Sequence, residues 1–195
     1  MVNDEMIISN TNVYGLENAV RVSKFPMATD TSVPTDEITR TTRKLGSCKT
    51  GTGHDQFLEG IVVQFDLTFT IKAWTEIQRY AFIDFISSQS TMHRISKFEL
   101  DKQYIKYVDP VMIERMNYLK DRYNETKDPE DYLRLLYSNP CGFRLTAGIS
   151  TNYRQIKTIV QQRKGHRLPE WAWFIEWAES LPHFKELIYG EESDE

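Results

Sequence analysis

A run of alternating residues after Gly60 constrains the fold more than any other feature of the chain. Large apolar side chains occupy every second position from Ile61 to Ile71, and mostly polar residues stand between them. Successive side chains of a β-strand point to opposite faces, so this run predicts a strand with one face in the core. Because that face must be covered and helical patterns follow it, the chain should fold as one sheet covered by several helices.

The spacing of apolar residues changes from two to about 3.6 after this strand, which predicts a buried helix from Trp74 through Ser88. Its buried positions should be Trp74, Ile77, Ala81, Phe82, Phe85 and Ile86. Two further helices should begin at Asp109-Pro110 and Asp128-Pro129, since each pair puts an N-cap residue before a proline at the first helical position. The first of these helices has an apolar stripe made of Met112, Met116, Leu119 and Tyr123.

Two more helices are predicted in the C-terminal half. One should begin near Ser150 or Thr151 and end at Gly165, and the other should open at Leu168-Pro169. The buried side of the second is predicted to contain Trp171, Phe174, Ile175 and Ala178. Residues 29–53, rich in Thr, Ser, Gly and Pro, are expected to form a long loop, and residues 191–195 an acidic tail behind a single domain spanning 1–190.

Composition limits the classes of function. The 195 residues, 40% of them hydrophobic, suffice for one substantial core. No window has the roughly 18 apolar residues of a membrane span, and residues 1–5 lack the basic start and apolar core of a signal peptide, so we expect a cytoplasmic protein. The two cysteines and four histidines have no spacing typical of a metal site. A net charge of −4 with interspersed signs argues against nucleic-acid binding, but a small anion held by a few arginines fits.

Two of the helical patterns carry polar residues suited to a ligand. Glu76, Arg79 and Tyr80 stand at i, i+3 and i+4, which puts them on one helix face. Asn152 and Arg163 are 11 positions apart, about three helical turns, which puts an amide and a guanidinium on one line. Spacing alone favours the simpler interpretation that both faces are merely solvated.

The segment around these residues is similar to the central block of the flavin-dependent thymidylate synthases (ThyX). In that family a histidine and a glutamate precede a strand, and the following helix ends in an Arg-His-Arg triplet. Here His54 and Glu59 match without a gap, and Arg79 falls on the first arginine of the triplet. A second match lies in the C-terminal half, where Asn139-Pro140, Asn152-Tyr153-Arg154 and Arg163 stand at the family's spacing, so the resemblance covers roughly residues 50 to 180.

The sequence departs from the family pattern at several positions. Tyr80 and Ala81 replace the rest of the triplet, and Glu76 stands where a glutamine is usual. Gln89 occupies the position of a family serine, although serines flank it on both sides. The family's following Arg-Tyr pair is absent, and Arg94 can replace its arginine only if the loop is longer. Leu136 stands at the position of a second phosphate arginine, with Arg134 nearby.

The resemblance implies an α+β fold with a central antiparallel sheet covered by several helices, and a homotetramer with sites shared between subunits. It implies reductive methylation of dUMP to dTMP with FAD, methylenetetrahydrofolate and NADPH, in which the flavin carries the redox chemistry and no cysteine nucleophile is needed. Arg79 and Asn152 would lie against the flavin, and Arg163 would bind the nucleotide phosphate. The candidates for flavin binding are His54, Glu59, Arg79, Tyr80 and Asn152. The candidates for nucleotide binding are Glu76, Ser88, Ser90, Arg94, Arg154 and Arg163.

Two other interpretations stay open. One is an enzyme of the same fold with altered pyrimidine-nucleotide chemistry, and the other is a non-catalytic homologue that binds a nucleotide or a flavin, which Tyr80, Ala81 and Gln89 favour. Cys141 follows Pro140, as in the nucleophile segment of the classical, folate-only thymidylate synthases, but nothing else nearby matches that family. A small buried thiol is the expected role of Cys141.

Overall fold

The computed structural model describes residues 8–191, and within them four strands form one antiparallel sheet. The strands are β1 (Ile8–Tyr14), β2 (Val62–Thr70), β3 (Asp84–Ser88) and β4 (Arg144–Asn152), and their order in the sheet is β1-β2-β4-β3. The predicted α+β fold with a central antiparallel sheet covered by helices is confirmed. The alternating run is strand β2 as predicted, whereas the other three strands were not individually predicted.

Ten α-helices and three short 3₁₀ helices accompany the sheet in the described part of the chain. The 3₁₀ helices are Phe25–Met27, Gln56–Gly60 and Ile95–Lys97. None of the helices within residues 8–191 has the length and apolar composition needed to cross a membrane. The α-helices are α1 (Leu16–Val22), α2 (Arg40–Ser47), α3 (Ile71–Ile77), α4 (Thr91–Arg94), α5 (Leu100–Gln103), α6 (Pro110–Thr126), α7 (Pro129–Tyr137), α8 (Tyr153–Arg163), α9 (Pro169–Glu179) and α10 (Phe184–Tyr189).

The main core lies between one face of the sheet and helices α8 and α9. The inward side chains of β2 are completely or almost completely buried, as the alternation predicts. Phe69 of β2 packs against Trp171 of α9 with ring centroids 5.4 Å apart. Burying an aromatic or aliphatic side chain of this size stabilises a fold by about 1.5–3 kcal/mol. The helices that carry most of the candidate residues are therefore anchored on the sheet.

Helices α6 and α7 contribute to a second, smaller core, whose buried residues are Ile95, Leu100, Tyr104, Met116, Leu119, Leu135 and Phe143. Both N-caps are confirmed: Asp109 accepts a hydrogen bond from the backbone N–H of Val111 at 2.9 Å, and Asp128 accepts one from Glu130 at 2.7 Å. Met116 and Leu119 are buried as predicted, but Met112 is 44% exposed, so the apolar stripe of α6 is narrower than expected.

The predicted helix from Trp74 through Ser88 is wrong beyond its first turn. Helix α3 ends at Ile77, and residues 84–88 form strand β3, which pairs with β4 through Phe85 opposite Ile149. Trp74 and Ile77 are buried as expected, but Ala81, Phe82, Phe85 and Ile86 are exposed. The rings of Phe85 and Trp74 still pack together, with their centroids 5.1 Å apart. The two residues belong to a strand and to a separate helix, so this contact is not one within a continuous helix.

The segment predicted as a long loop, residues 29–53, contains helix α2. Thr39 caps this helix by accepting a hydrogen bond from the backbone N–H of Thr42 at 3.3 Å. Gly46 of α2 lies against α10, where a Cβ atom would stand 2.3 Å from the carbonyl oxygen of Leu187. The composition of this segment suggested a loop, but the structure has a helix there, and that helix contacts α10, which is distant in the sequence.

The two C-terminal helices are close to their predicted positions. Helix α8 begins at Tyr153, slightly later than expected, because strand β4 continues to Asn152. Helix α9 begins at Pro169 as predicted, with Trp171, Phe174 and Ala178 buried and Ile175 partly buried. Of the predicted acidic tail, only Glu191 falls within the described residues, and 192–195 lie outside them.

Candidate functional site

A polar cleft of 440 Å³ lies between the segment after α3 and one side of helix α8. It contains three of the residues predicted to bind ligands, Arg79, Tyr80 and Arg163. Its other lining residues are Ala81, Gln155, Thr158 and Gln162. Two guanidinium groups and several uncharged hydrogen-bonding side chains at one opening make an arrangement suited to an anionic ligand.

Arg163, in the last turn of α8, is held on several sides. Its Nε donates a hydrogen bond to the Tyr80 hydroxyl at 2.9 Å, and its Nη1 donates to Oε2 of Glu76 at 3.0 Å. Its guanidinium also lies 4.4 Å from the ring centroid of Trp171, a cation–π distance. Only Nη2 has no hydrogen-bond partner among the described residues.

Glu76 is the carboxylate at the centre of this group. Its Oε2 accepts hydrogen bonds from Arg163 and from the indole Nε1 of Trp171 at 3.1 Å, and its Oε1 lies 3.5 Å from the ammonium of Lys72. Nδ1 of His166 accepts a hydrogen bond from the backbone N–H of Leu168, so the neutral ring carries its proton on Nε2. This Nε2 lies 3.3 Å from Oε2 of Glu76. Burial acts to raise the pKa of Glu76, but the hydrogen bond from Trp171 and the electrostatic effects of His166 and Arg163 lower it overall.

Arg79 differs from Arg163 because it is exposed and makes no side-chain hydrogen bond or ion pair with a described residue. The prediction that it shares a helix face with Glu76 and Tyr80 is wrong, since α3 ends at Ile77 and Arg79 follows it. Arg79 lines the polar cleft, but Asn152 does not. Asn152 instead caps the start of α8 by accepting a hydrogen bond from the backbone N–H of Gln155 at 2.9 Å.

A second charged group, absent from the sequence-based interpretation, lies under helix α8. The ammonium of Lys157, which is fully buried, donates to the carbonyl oxygens of Gly46 and Cys48 at 2.7 and 2.6 Å, and to Oδ2 of Asp55 at 2.8 Å. Asp55 is also fully buried, and its Oδ1 accepts a hydrogen bond from Nε of Arg154 at 3.1 Å. The sequence does place the two cations Arg154 and Lys157 at i and i+3 on α8, which could have indicated a shared partner. That partner, Asp55, lies about a hundred residues away in the sequence.

Arg154, predicted to bind the nucleotide, is engaged in this same group. Its Nη1 donates to Gln56 at 2.9 Å and to the carboxylate of Glu59, so two of the candidate residues contact each other. His54 is exposed and lies at the edge of a different, mainly apolar cavity of 940 Å³. Apolar residues of that cavity include Val22, Pro26, Met27, Leu45 and Phe57.

The remaining candidates for nucleotide binding lie in edge strand β3 or shortly after it in the sequence. Ser88, at the end of β3, lines a cavity of 300 Å³ together with Trp74, Phe85 and Gln89. The side chain of Gln89 accepts a hydrogen bond from the backbone N–H of Thr146 at 2.9 Å, so it fastens the end of β3 to β4.

Ser90 precedes helix α4, and Arg94 ends that helix in an exposed position. Cys141 is exposed, so the expectation of a buried thiol is wrong. Residues 8–191 contain no group of three or more His, Cys, Asp or Glu side chains placed to hold a metal ion.

Solved structures show which fold this is. The crystal structure of Thymidylate Synthase X (ThyX) from Helicobacter pylori with FAD and dUMP matches with a TM-score of 0.75 and 13% identity, covering 93% of this chain and 96% of that one. The chain has the fold of the flavin-dependent thymidylate synthases. A second structure of the H. pylori enzyme, also complexed with FAD and dUMP, gives a TM-score of 0.72 at 14% identity, covering 94% of this chain and 99% of that one.

The ThyX fold is also that of a UMP/dUMP methylase, PolB from Streptomyces cacaoi, solved with 5-Br dUMP. That structure matches with a TM-score of 0.63 and 14% identity, covering 95% of this chain and 92% of that one. No protein-family model and no curated protein matches the chain. The ThyX-like architecture thus spans almost the whole sequence, although the identity to these three structures is only 13–14%.

Proposed function

We propose that this protein binds a flavin and a pyrimidine nucleotide, and that it is a flavin-dependent thymidylate synthase that methylates dUMP to dTMP. Methylenetetrahydrofolate would supply the carbon and NADPH the reducing equivalents. The observation that carries the proposal is the guanidinium of Arg79, which has no partner among residues 8–191 and lies at a polar cleft, in a chain whose fold matches an enzyme solved with FAD and dUMP. Under this proposal residues 1–190 act as one domain.

The residues around the cleft fit an anionic cofactor such as FAD. Arg79 is exposed and has no partner within the described residues, so its charge is available to a phosphate or to a reduced ring. Tyr80 presents an aromatic ring at the same opening, which suits stacking against a planar ligand. When bound, the flavin would supply the hydride for the reductive step. The chain's own residues would bind and orient the two ligands and exclude water.

The division of the candidate residues among cavities supports sites shared between subunits. Arg79, His54 and Ser88 line three separate cavities of a single chain. Strand β3 is an edge strand on which every residue is exposed, including Phe85 and Ile86. An exposed apolar edge favours association with another chain. We therefore propose a homotetramer in which neighbouring chains complete each site.

A second candidate function is nucleotide or flavin binding without turnover, or with altered pyrimidine chemistry. It is favoured by Tyr80, whose hydroxyl accepts a hydrogen bond from Arg163, and by Ala81, which brings no polar group to the cleft. Neither residue offers the cleft a positive charge.

Two measurements test the proposed function in turn. The purified protein should absorb visible light as a flavoprotein, or acquire this absorbance when incubated with FAD. With dUMP tritiated at C5, methylenetetrahydrofolate, NADPH and FAD, it should then release tritium, because methylation replaces the hydrogen at that carbon. Flavin binding without tritium release would support the second candidate. If the protein binds neither flavin nor dUMP, both functions are refuted.

A further inference from the structure

The nucleotide candidate Arg163 is already paired with a carboxylate inside its own chain. Glu76 and Arg163 are joined at 3.0 Å, and their side chains are only 16% and 13% exposed. Shielding from solvent makes such a pair stronger than one at the surface. A phosphate approaching Arg163 therefore meets a guanidinium whose charge is largely compensated.

The geometry of the pair also restricts how Arg163 grips an anion. A bidentate grip on phosphate uses either both Nη atoms or Nε together with one Nη. Here Nη1 donates to Glu76 and Nε donates to Tyr80, so each edge of the guanidinium has one nitrogen engaged. Only Nη2 has no partner within residues 8–191, so the free protein offers an anion a single nitrogen.

The position of Glu76 is itself fixed by neighbours that do not depend on a ligand. Trp171, which is fully buried, donates its indole N–H to the same carboxylate oxygen that Arg163 contacts. Lys72 lies one turn earlier on α3 and stands 3.5 Å from the other oxygen. The carboxylate is thus held beside the cleft even if Arg163 turns toward a ligand.

We propose that Glu76 is an internal counter-ion that occupies Arg163 in the free protein and opposes binding of a nucleotide phosphate there. This inference rests on the proposed nucleotide-binding function and adds a residue that sets its affinity. Within residues 8–191, the cation of the cleft that has no partner is then Arg79, so a nucleoside monophosphate gains less from the two arginines than their number suggests. The carboxylate acts specifically on the phosphate, and it leaves the binding of an uncharged nucleoside unchanged.

Calorimetric titration of dUMP and of deoxyuridine tests this on the full chain. Glu76→Gln keeps an oxygen that accepts from Trp171 and Arg163 but removes the charge. The substitution should lower the Kd for dUMP by about tenfold or more, which is the scale expected for repulsion between the Glu76 carboxylate and a phosphate bound to the same guanidinium. The Kd for deoxyuridine, which has no phosphate, should stay unchanged. Glu76→Ala should show the same selective gain if its thermal melt confirms folding.

Glu186→Gln is the matched control, because Glu186 is another shielded carboxylate, paired with Arg43 at 3.1 Å, but outside the cleft. It should bind dUMP as the wild type does. An unchanged or weaker dUMP affinity in Glu76→Gln overturns the counter-ion role while leaving the proposed function in place. An equal gain for deoxyuridine also overturns it, since the effect then does not act on the phosphate. A wild-type chain that binds no dUMP overturns this inference together with the proposed function.

Discussion

Replacing Lys157 by Met should destabilise the protein strongly, because it breaks an ion pair that has no contact with water. The ammonium of Lys157 satisfies Oδ2 of Asp55 and two backbone carbonyls, and both charged side chains are fully buried. The variant leaves those three acceptors without this donor, although Arg154 still contacts the other oxygen of Asp55. Removing one partner of a buried pair costs about 3–5 kcal/mol.

Urea unfolding measured by circular dichroism gives this loss as a shift of the midpoint at constant slope. For a chain of this length the same loss lowers the melting temperature by roughly 6–20 °C. Lys102→Met is the matched control, since Lys102 pairs with Glu99 at the surface with both side chains mostly exposed. The control should leave the midpoint almost unchanged.

A double variant makes the test specific to the pair. When Asp55→Asn is added to Lys157→Met, the combined loss should be smaller than the sum of the two single losses, because the second change removes the stranded charge. If Lys157→Met unfolds at the midpoint of the Lys102→Met control, or if the two losses simply add, the ion pair does not hold helix α8 to the segment that contains Gly46 and Asp55.

Three further predictions concern single residues. Arg79→Ala should lose bound flavin while its melting temperature stays the same, and retention of flavin at the wild-type ratio would remove the cofactor role from Arg79. Gly46→Ala should cost about 1–3 kcal/mol in urea unfolding, because its Cβ would stand 2.3 Å from the carbonyl oxygen of Leu187; a neutral effect would mean that α2 and α10 separate easily. Asp128→Ala should cost about 1 kcal/mol through loss of the N-cap bond to Glu130, whereas Asp128→Asn should cost less, and equal losses in thermal melts would contradict capping.

The sequence by itself determined the elements whose signals are local. Strand β2 followed from strict alternation, and helices α6 and α7 followed from an aspartate before a proline, since both signals act within a few residues. The fold itself was predicted from the resemblance to ThyX, because the few motif residues of this chain stand at the family's spacing although the overall identity is low. The resemblance also named Arg79, Tyr80 and Arg163, which the structure brings to one cleft.

Tertiary contacts decided the features that the local pattern left ambiguous. Phe82, Phe85 and Ile86 stand at i, i+3 and i+4, which favours a helix, but pairing with β4 makes Asp84–Ser88 a strand. Strand β4 itself has a period of two through Leu145, Ala147 and Ile149, a signal that was present but weak because its side chains are small or polar.

The partners of the charged side chains were also decided by the tertiary structure. Nothing near Lys157 in the sequence identifies Asp55 as its partner, and nothing near Arg163 identifies Glu76. These pairs join residues 102 and 87 positions apart, and they form because the sheet brings α8 against the segments before and after β2. A charge shielded from water requires a partner wherever the chain can supply one. The sequence therefore named the charged residues of the cleft, and only the fold decided which of them were already paired.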